Sequence, residues 1–186
     1  MHRTLIASAL LTFALAGTAN AGFQPSVMLA DGFSAEDLDR IAIVAVECDA
    51  DFDCEELVRR AGAKLAELKL PFSVLNEWSV KQYLFKQGEE SYRPELRQSM
   101  ADELGLSAIL EIKVPHAERA EGSGAGLGWS AWGSQVNSVR VDLKLLSPEG
   151  GFLLRASGTS KSANRLATPE STAANAVQEI FRRAFK

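Results

Sequence analysis

Asp49, Asp51 and Asp53 alternate along the chain as the first three ligands of a calcium loop do. An EF-hand loop opening at Asp49 needs glycine at its sixth position and a bidentate glutamate at its twelfth. Cys54 and Arg60 stand there instead, so the pattern fails. An acidic, solvated loop ahead of a helix N-terminus accounts for the aspartates without a metal. Cys48 and Cys54 bracket the same loop, and His116 is the only histidine after the first residues of the chain. Two sulfurs and one imidazole do not complete a tetrahedral zinc shell, and the spacing is not the C-x-x-C of a redox motif. In an exported chain the pair is expected to form a structural disulfide.

Catalysis finds little footing. A Ser-His-Asp or Cys-His arrangement would have to be built on His116, which stands at the end of a predicted strand with Glu118 nearby. There is neither a G-x-S-x-G elbow nor an H-E-x-x-H pair. Glu55, Glu56, Asp102 and Glu103 fall on predicted helix surfaces, where a solvated carboxylate is the ordinary case. Gly122, Gly124, Gly126 and Gly128 match neither phosphate-loop pattern, and they lie between two strands rather than opening a helix. No catalytic residue, metal or cofactor is therefore expected. Trp129 and Trp132, set in that glycine-rich stretch, are the candidate partner-binding residues. Two tryptophans three apart either pack over a sheet edge or present an aromatic patch to a partner.

These residues need elements to hold them. Ile41 to Val46 is a continuous apolar, β-branched run, the pattern of a strand buried on both faces. Asp53 can cap a helix whose stripe is Leu57, Ala61, Leu65 and Leu68. A short strand is expected over Phe72 to Leu75. A helix from Asn76 to about Gln87 follows, with Trp78, Tyr83 and Leu84 as inward candidates, and another from Tyr92 to Leu104 ends at Gly105. Ser107 to Val114 reads as a strand. Val136 to Leu146 alternates into another, Pro148 to Gly151 turns the chain, and Phe152, Leu154 and Ala156 return. Thr168 and Pro169 open a last helix whose face is Ala173, Val177, Ile180, Phe181 and Ala184. The expected fold is α/β: a mixed sheet of about five strands, order β-α-β-α-α-β-β-β-α, in a two- or three-layer sandwich.

The beginning of the chain reads as an address. Arg3, the apolar run Leu5 to Leu15 and the small-x-small step Ala19-Asn20-Ala21 form a signal peptide with cleavage after Ala21. The run is short for a membrane span, which takes about 20 apolar residues. Thr18 stands where a lipoprotein signal would place its cysteine, so the mature chain is expected to be unlipidated and periplasmic, with secretion as the alternative. The expected division is signal peptide 1–21, N-terminal arm 22–39 and one α/β domain 40–186. The arm carries a short turn from Ser34 to Asp39 and could order on a partner. Removing 1–21 takes away one base and no acid, so the formal charge moves from −4 to −5. An acidic chain is a poor match for nucleic acid. No later stretch approaches membrane-spanning length. The basic tip Arg182, Arg183 and Lys186 fits a helix C-terminus.

Two longer patterns carry a resemblance. One is the step Ala101, Leu104, Gly105, Ile109, Leu110, and the other is the hairpin from Val141 to Gly151. Together with the exported strand–helix–strand opening, they resemble the periplasmic domain shared by the curli-secretion channel subunit family, the amino-terminal domain of TolB, and lipoprotein activators of penicillin-binding proteins. The likeness covers most of residues 40–186. It implies a non-enzymatic accessory domain that binds another cell-envelope protein in assembly, secretion or transport, with self-association also open. It brings no catalytic residues, and the stretch Ala120 to Ser134 is too short for the membrane hairpins of the channel-forming members. The alternative reading is a periplasmic small-ligand or lipid-binding protein, followed by a hydrolase of envelope polymers.

Overall fold

The run from Ile41 to Val46 becomes the interior of strand β2 (Arg40–Cys48), around which the rest is arranged. The computed structural model describes residues 23–120, 136–162 and 167–185. Before β2 comes β1 (Ser26–Leu29). After it come α1 (Cys54–Ala66), β3 (Ser73–Val74), α2 (Glu77–Lys86), α3 (Arg97–Leu104), β4 (Ala108–Ala120), β5 (Val136–Leu146), β6 (Phe152–Ser162) and α4 (Pro169–Ala184). One sheet holds the strands in the order β1-β6-β5-β4-β2-β3. β2 is parallel to β3 and β4, and the remaining neighbours are antiparallel.

That order explains the layers. The chain leaves β2 for β3 on one side, then crosses back to β4 on the other, and crossovers of one hand put the intervening helices on opposite faces. Leu57, Ala61 and Leu65 of α1 and Val177, Ile180 and Phe181 of α4 bury against Ile41, Ile43, Leu110, Ile112 and the inward row of β5. Val80, Tyr83 and Leu84 of α2 and Met100 and Ala101 of α3 bury against Ala42, Val44 and Ile109 on the other face. β2 feeds both cores with alternate residues, hence its unbroken apolar run. β5 serves one core only: Val139, Val141, Leu143 and Leu145 are buried, whereas Arg140 and Lys144 are exposed. The expected mixed sandwich is the fold that forms, and it has three layers.

The ends of the helices follow their local chemistry. Asp53 caps α1 by accepting from the Glu56 N–H at 2.9 Å, Asn76 caps α2 through Ser79, and Thr168 and Ser171 cap α4 reciprocally ahead of Pro169. Gly105 ends α3 in the left-handed region, φ 62°, where a side chain would be strained. Phe33, Phe72, Phe181 and Phe185 close one end of the first core through edge-to-face and tilted contacts.

Several expectations are corrected in detail. Part of the expected arm is a sheet strand, since β1 pairs with β6 from Ser26 opposite Ser157 to Leu29 opposite Leu154. This sixth strand carries no alternation of its own, and β6 imposes its extended state. The arm also lies close on β6: a Cβ at Gly158 would sit 2.7 Å from the Phe23 ring. The short strand expected over Phe72 to Leu75 is only Ser73–Val74. The third helix does not begin at Tyr92, because Arg93 is extended ahead of Pro94 and a 3-10 turn precedes α3. β4 runs six residues past Val114, to Ala120. Trp78 points outward and is 65% exposed.

Candidate functional site

In open α/β sheets, ligands gather beyond the carboxyl ends of the strands where the strand order reverses. Here that point lies between β2 and β4, and the loop Asp49–Asp53 and His116 both reach it. The gap is stitched shut. The Asp49 N–H donates to the Val114 carbonyl at 2.9 Å, and Asp49 Oδ2 accepts from the Ala117 N–H at 3.1 Å. The β4–β5 register shifts between Lys113 and His116, where Pro115 has no N–H for the ladder. His116 is half exposed, with Nε2 3.0 Å from Glu118 Oε1 and Nδ1 4.0 Å from Asp49 Oδ2. Asp53 is spent on the α1 cap. Cys48 and Cys54 are disulfide-bonded, with Cα atoms 6.2 Å apart, joining the end of β2 to the start of α1. Among the described residues, no group of three or more His, Cys, Asp and Glu side chains is placed to hold a metal.

Among the described residues, the most buried charge lies elsewhere. Glu111 of β4, 8% exposed, turns into the second core, where its Oε1 accepts from Tyr92 Oη and from Arg97 Nη2, each at 2.9 Å. Burial first, and the Glu111 charge second, push the Tyr92 phenol well above its ordinary range, so it stays a neutral donor. This triad ties α3 and the preceding loop to the sheet. Tyr92 also borders the cavity between α1 and α2, but its hydroxyl is given to Glu111, and the triad's chemistry is structural.

Two surface features remain, and both involve α2. Trp78 and Phe85 are seven residues apart on one side of the helix, 65% and 86% exposed. Two turns of helix separate them by about 10.5 Å. Lys81 and Lys86 flank this ridge and are held by glutamates, Lys81 by Glu55 and Glu77, Lys86 by Glu103 at 2.6 Å. Sequence reasoning placed Trp78 inward and passed over Phe85. A helical wheel carries the missing signal: Val80, Tyr83 and Leu84 form a complete inward stripe, leaving Trp78 and Phe85 on the far side.

The second feature is a slot between α1 and α2. β3 pairs only with Arg40 and Ile41, so the edge of β2 is bare beyond it. A cavity of about 190 Å³ occupies the gap, walled by Ile43, Val44 and Ala45 of β2, Val58 of α1 and Val80 and Leu84 of α2. Glu55, Glu77, Lys81 and Glu90 stand around it. Lys81 bridges the two helices to Glu55 and also donates to Glu77 Oε1 at 3.1 Å. Those hydrogen bonds, that to Glu55 foremost, raise the Lys81 ammonium above its ordinary range. The other Glu77 oxygen, Oε2, is buried without a hydrogen-bond partner among the described residues. Trp129 and Trp132 lie outside the described residues. Among the described residues, the exposed aromatic surface is on α2.

No protein-family model matches the chain, and no curated protein matches it. Solved structures do. PelC from Paraburkholderia phytofirmans, a dodecamer, is 11% identical over 86% of this chain and 94% of its own, with a TM-score of 0.57. Lipoprotein GNA1162 from Neisseria meningitidis is 14% identical over 78% of this chain and 97% of its own, with a TM-score of 0.54. The C-terminal domain of LpoB from Salmonella enterica, 13% identical over 72% of this chain and 87% of its own, has a TM-score of 0.47. At such identities the likeness is one of fold, and at that level the expected resemblance to a lipoprotein-borne domain holds.

Proposed function

We propose that this chain is an exported, non-enzymatic accessory protein of the bacterial cell envelope that works by binding another envelope protein. The observation that carries this reading is the ridge of α2. A Phe side chain 86% exposed beside a Trp 65% exposed, on a helix whose inward face is already satisfied, has no role in the fold. Large exposed aromatics are the anchors of protein interfaces. The residues that could do chemistry are engaged instead: Asp49 and Asp53 by backbone N–H groups, Glu111 by Tyr92 and Arg97. Two proteins of like fold are a dodecamer and a lipoprotein, which agrees with a domain used for assembly at an envelope. Self-association is part of this proposal, and so is cleavage after Ala21 to give an unlipidated periplasmic chain. Trp129 and Trp132 are proposed as a second contact.

The test is an in-cell crosslink and pull-down from the periplasm, with the mature N-terminus sequenced on the same material. Trp78→Ala/Phe85→Ala is expected to keep wild-type melting and lose the partner. Trp129→Ala/Trp132→Ala reports separately on the second contact. Partner recovery unmoved by both pairs would sink the proposal. A lipid or small molecule co-purifying instead would favour the ligand-binding alternative, which the α1–α2 cavity supports poorly because small-ligand sites run to about 300–1,000 Å³.

A further inference from the structure

The bare edge of β2 is a second place where a partner can bind, and its chemistry is more selective than that of an aromatic ridge. The Arg40 carbonyl accepts from Ser107 N–H on the β4 side, and the Ile41 carbonyl accepts from Leu75 N–H on the β3 side, each at 2.8 Å. Backbone groups alternate sides along a strand, so those of Ile43 and Ala45 face the way Ile41 does, into the slot. Beyond Leu75, no backbone bond among the described residues closes that side of β2. An edge of unpaired N–H and C=O groups is a template for another strand. The walls suit one: side chains pointing one way would meet Ile43 and Val58, and those pointing the other way Val44, Val80 and Leu84.

Charge decides what kind of strand fits. Three acids, Glu55, Glu77 and Glu90, stand around the slot against one base, Lys81, a formal balance of −2. Lys81 is already shared between Glu55 and Glu77 Oε1, and Glu77 Oε2 remains buried and unpaired among the described residues. A buried carboxylate oxygen without a donor is costly, and a cationic side chain is the group that would satisfy it.

We infer that this slot captures an extended segment of another protein bearing a Lys or Arg, which adds to the sheet beside β2 and donates to Glu77. The inference deepens the protein-binding reading above and uses a different surface, so the two can fail separately. Main-chain pairing supplies affinity in such a mode, and the alternate side chains supply specificity.

The probe is a displayed library of random 12-residue peptides, panned against the exported, oxidised chain. Enrichment of sequences alternating apolar residues with Lys or Arg is expected. A synthetic peptide from that set should bind at least tenfold more weakly to Glu77→Gln/Glu90→Gln. The same loss is expected for Ala45→Pro, which removes an N–H on the side of β2 away from β4. Binding to Trp78→Ala/Phe85→Ala should be unchanged. Amide exchange at Ile43 and Ala45 of the unsubstituted chain, slowed at least tenfold by the peptide, gives the same answer should Ala45→Pro not fold. No enriched set, acidic peptides, affinity indifferent to Glu77 and Glu90, loss on changing Trp78 and Phe85, or no protection at Ile43 and Ala45 would each overturn the inference.

Discussion

Replacing Arg97 by Ala tests whether the buried triad holds α3 to the sheet. Glu111 Oε1 takes one hydrogen bond from Arg97 Nη2 and one from Tyr92 Oη, both at 2.9 Å, and the two ion-pair side chains are 17% and 10% exposed. Losing a hydrogen bond to a charged group costs about 1.5–3 kcal/mol, and stranding a buried charge brings the total to about 3–5 kcal/mol. Arg97 Nε is itself buried without a partner among the described residues, so the pair is imperfect and the lower end, about 3 kcal/mol, is expected. In a chain of this length that is a fall in melting temperature of about 6–12 °C. Urea titration followed by tryptophan fluorescence gives the free energy directly. Removing the whole triad in Tyr92→Phe/Arg97→Met/Glu111→Leu should return stability to within about 1 kcal/mol of wild type, because neither a charge nor a hydroxyl is then left buried without a partner. A loss below about 1 kcal/mol for Arg97→Ala, or a triple variant as weak as the single, would refute the reasoning.

The Cys48–Cys54 bond closes a short loop, since its partners are six positions apart. Chain entropy assigns such a closure about 2 kcal/mol. Reductant should lower the unfolding free energy of the wild type, read from urea titration, by that amount and leave Cys48→Ser/Cys54→Ser unmoved. Glu56, hydrogen-bonded by Arg59 first and then Arg60, titrates at about 2 instead of 4.5. A depressed carboxyl stabilises above its unfolded value and loses that contribution as pH falls, here from about 4.5 toward 2. Glu56→Gln should therefore flatten the decline in urea midpoint between about pH 5 and pH 2.5, and an unchanged decline would remove Glu56 from the account.

What was legible in the chain was whatever is encoded within a few residues. Asp53, and Thr168 with Pro169, announce helix starts because capping is local chemistry. The alternation of Val139, Val141, Leu143 and Leu145 announces β5 because one core claims one face. The failures lie where a distant partner decides. Ser26–Leu29 is a strand only because β6 lies beside it. Glu111 sits between Leu110 and Ile112, a hint of a satisfied buried charge, but nothing local says that Tyr92 and Arg97 supply the partners. Trp78 is expected inward from its type alone, whereas its exposure is set by the competing stripe Val80, Tyr83 and Leu84.

The pairing of β1 with β6 also fixes an order of assembly. Leu29 lies opposite Leu154, 125 positions later. If that pair formed first, closing the loop would cost about 4.3 kcal/mol of chain entropy, from three-halves RT times the logarithm of its length. Once β2 to β6 are in place, only Ala30–Asp39 remains to be closed, ten residues, and the same expression gives about 2 kcal/mol. The strand nearest the start of the chain is thus the last to join the sheet, and the first to let go when the protein breathes. Under the proposed export, the chain emerging head first would keep this segment extended and unpaired until its far end arrives. During that interval the outer edge of β6 is open to any strand that gets there sooner, including β1 of a sister molecule.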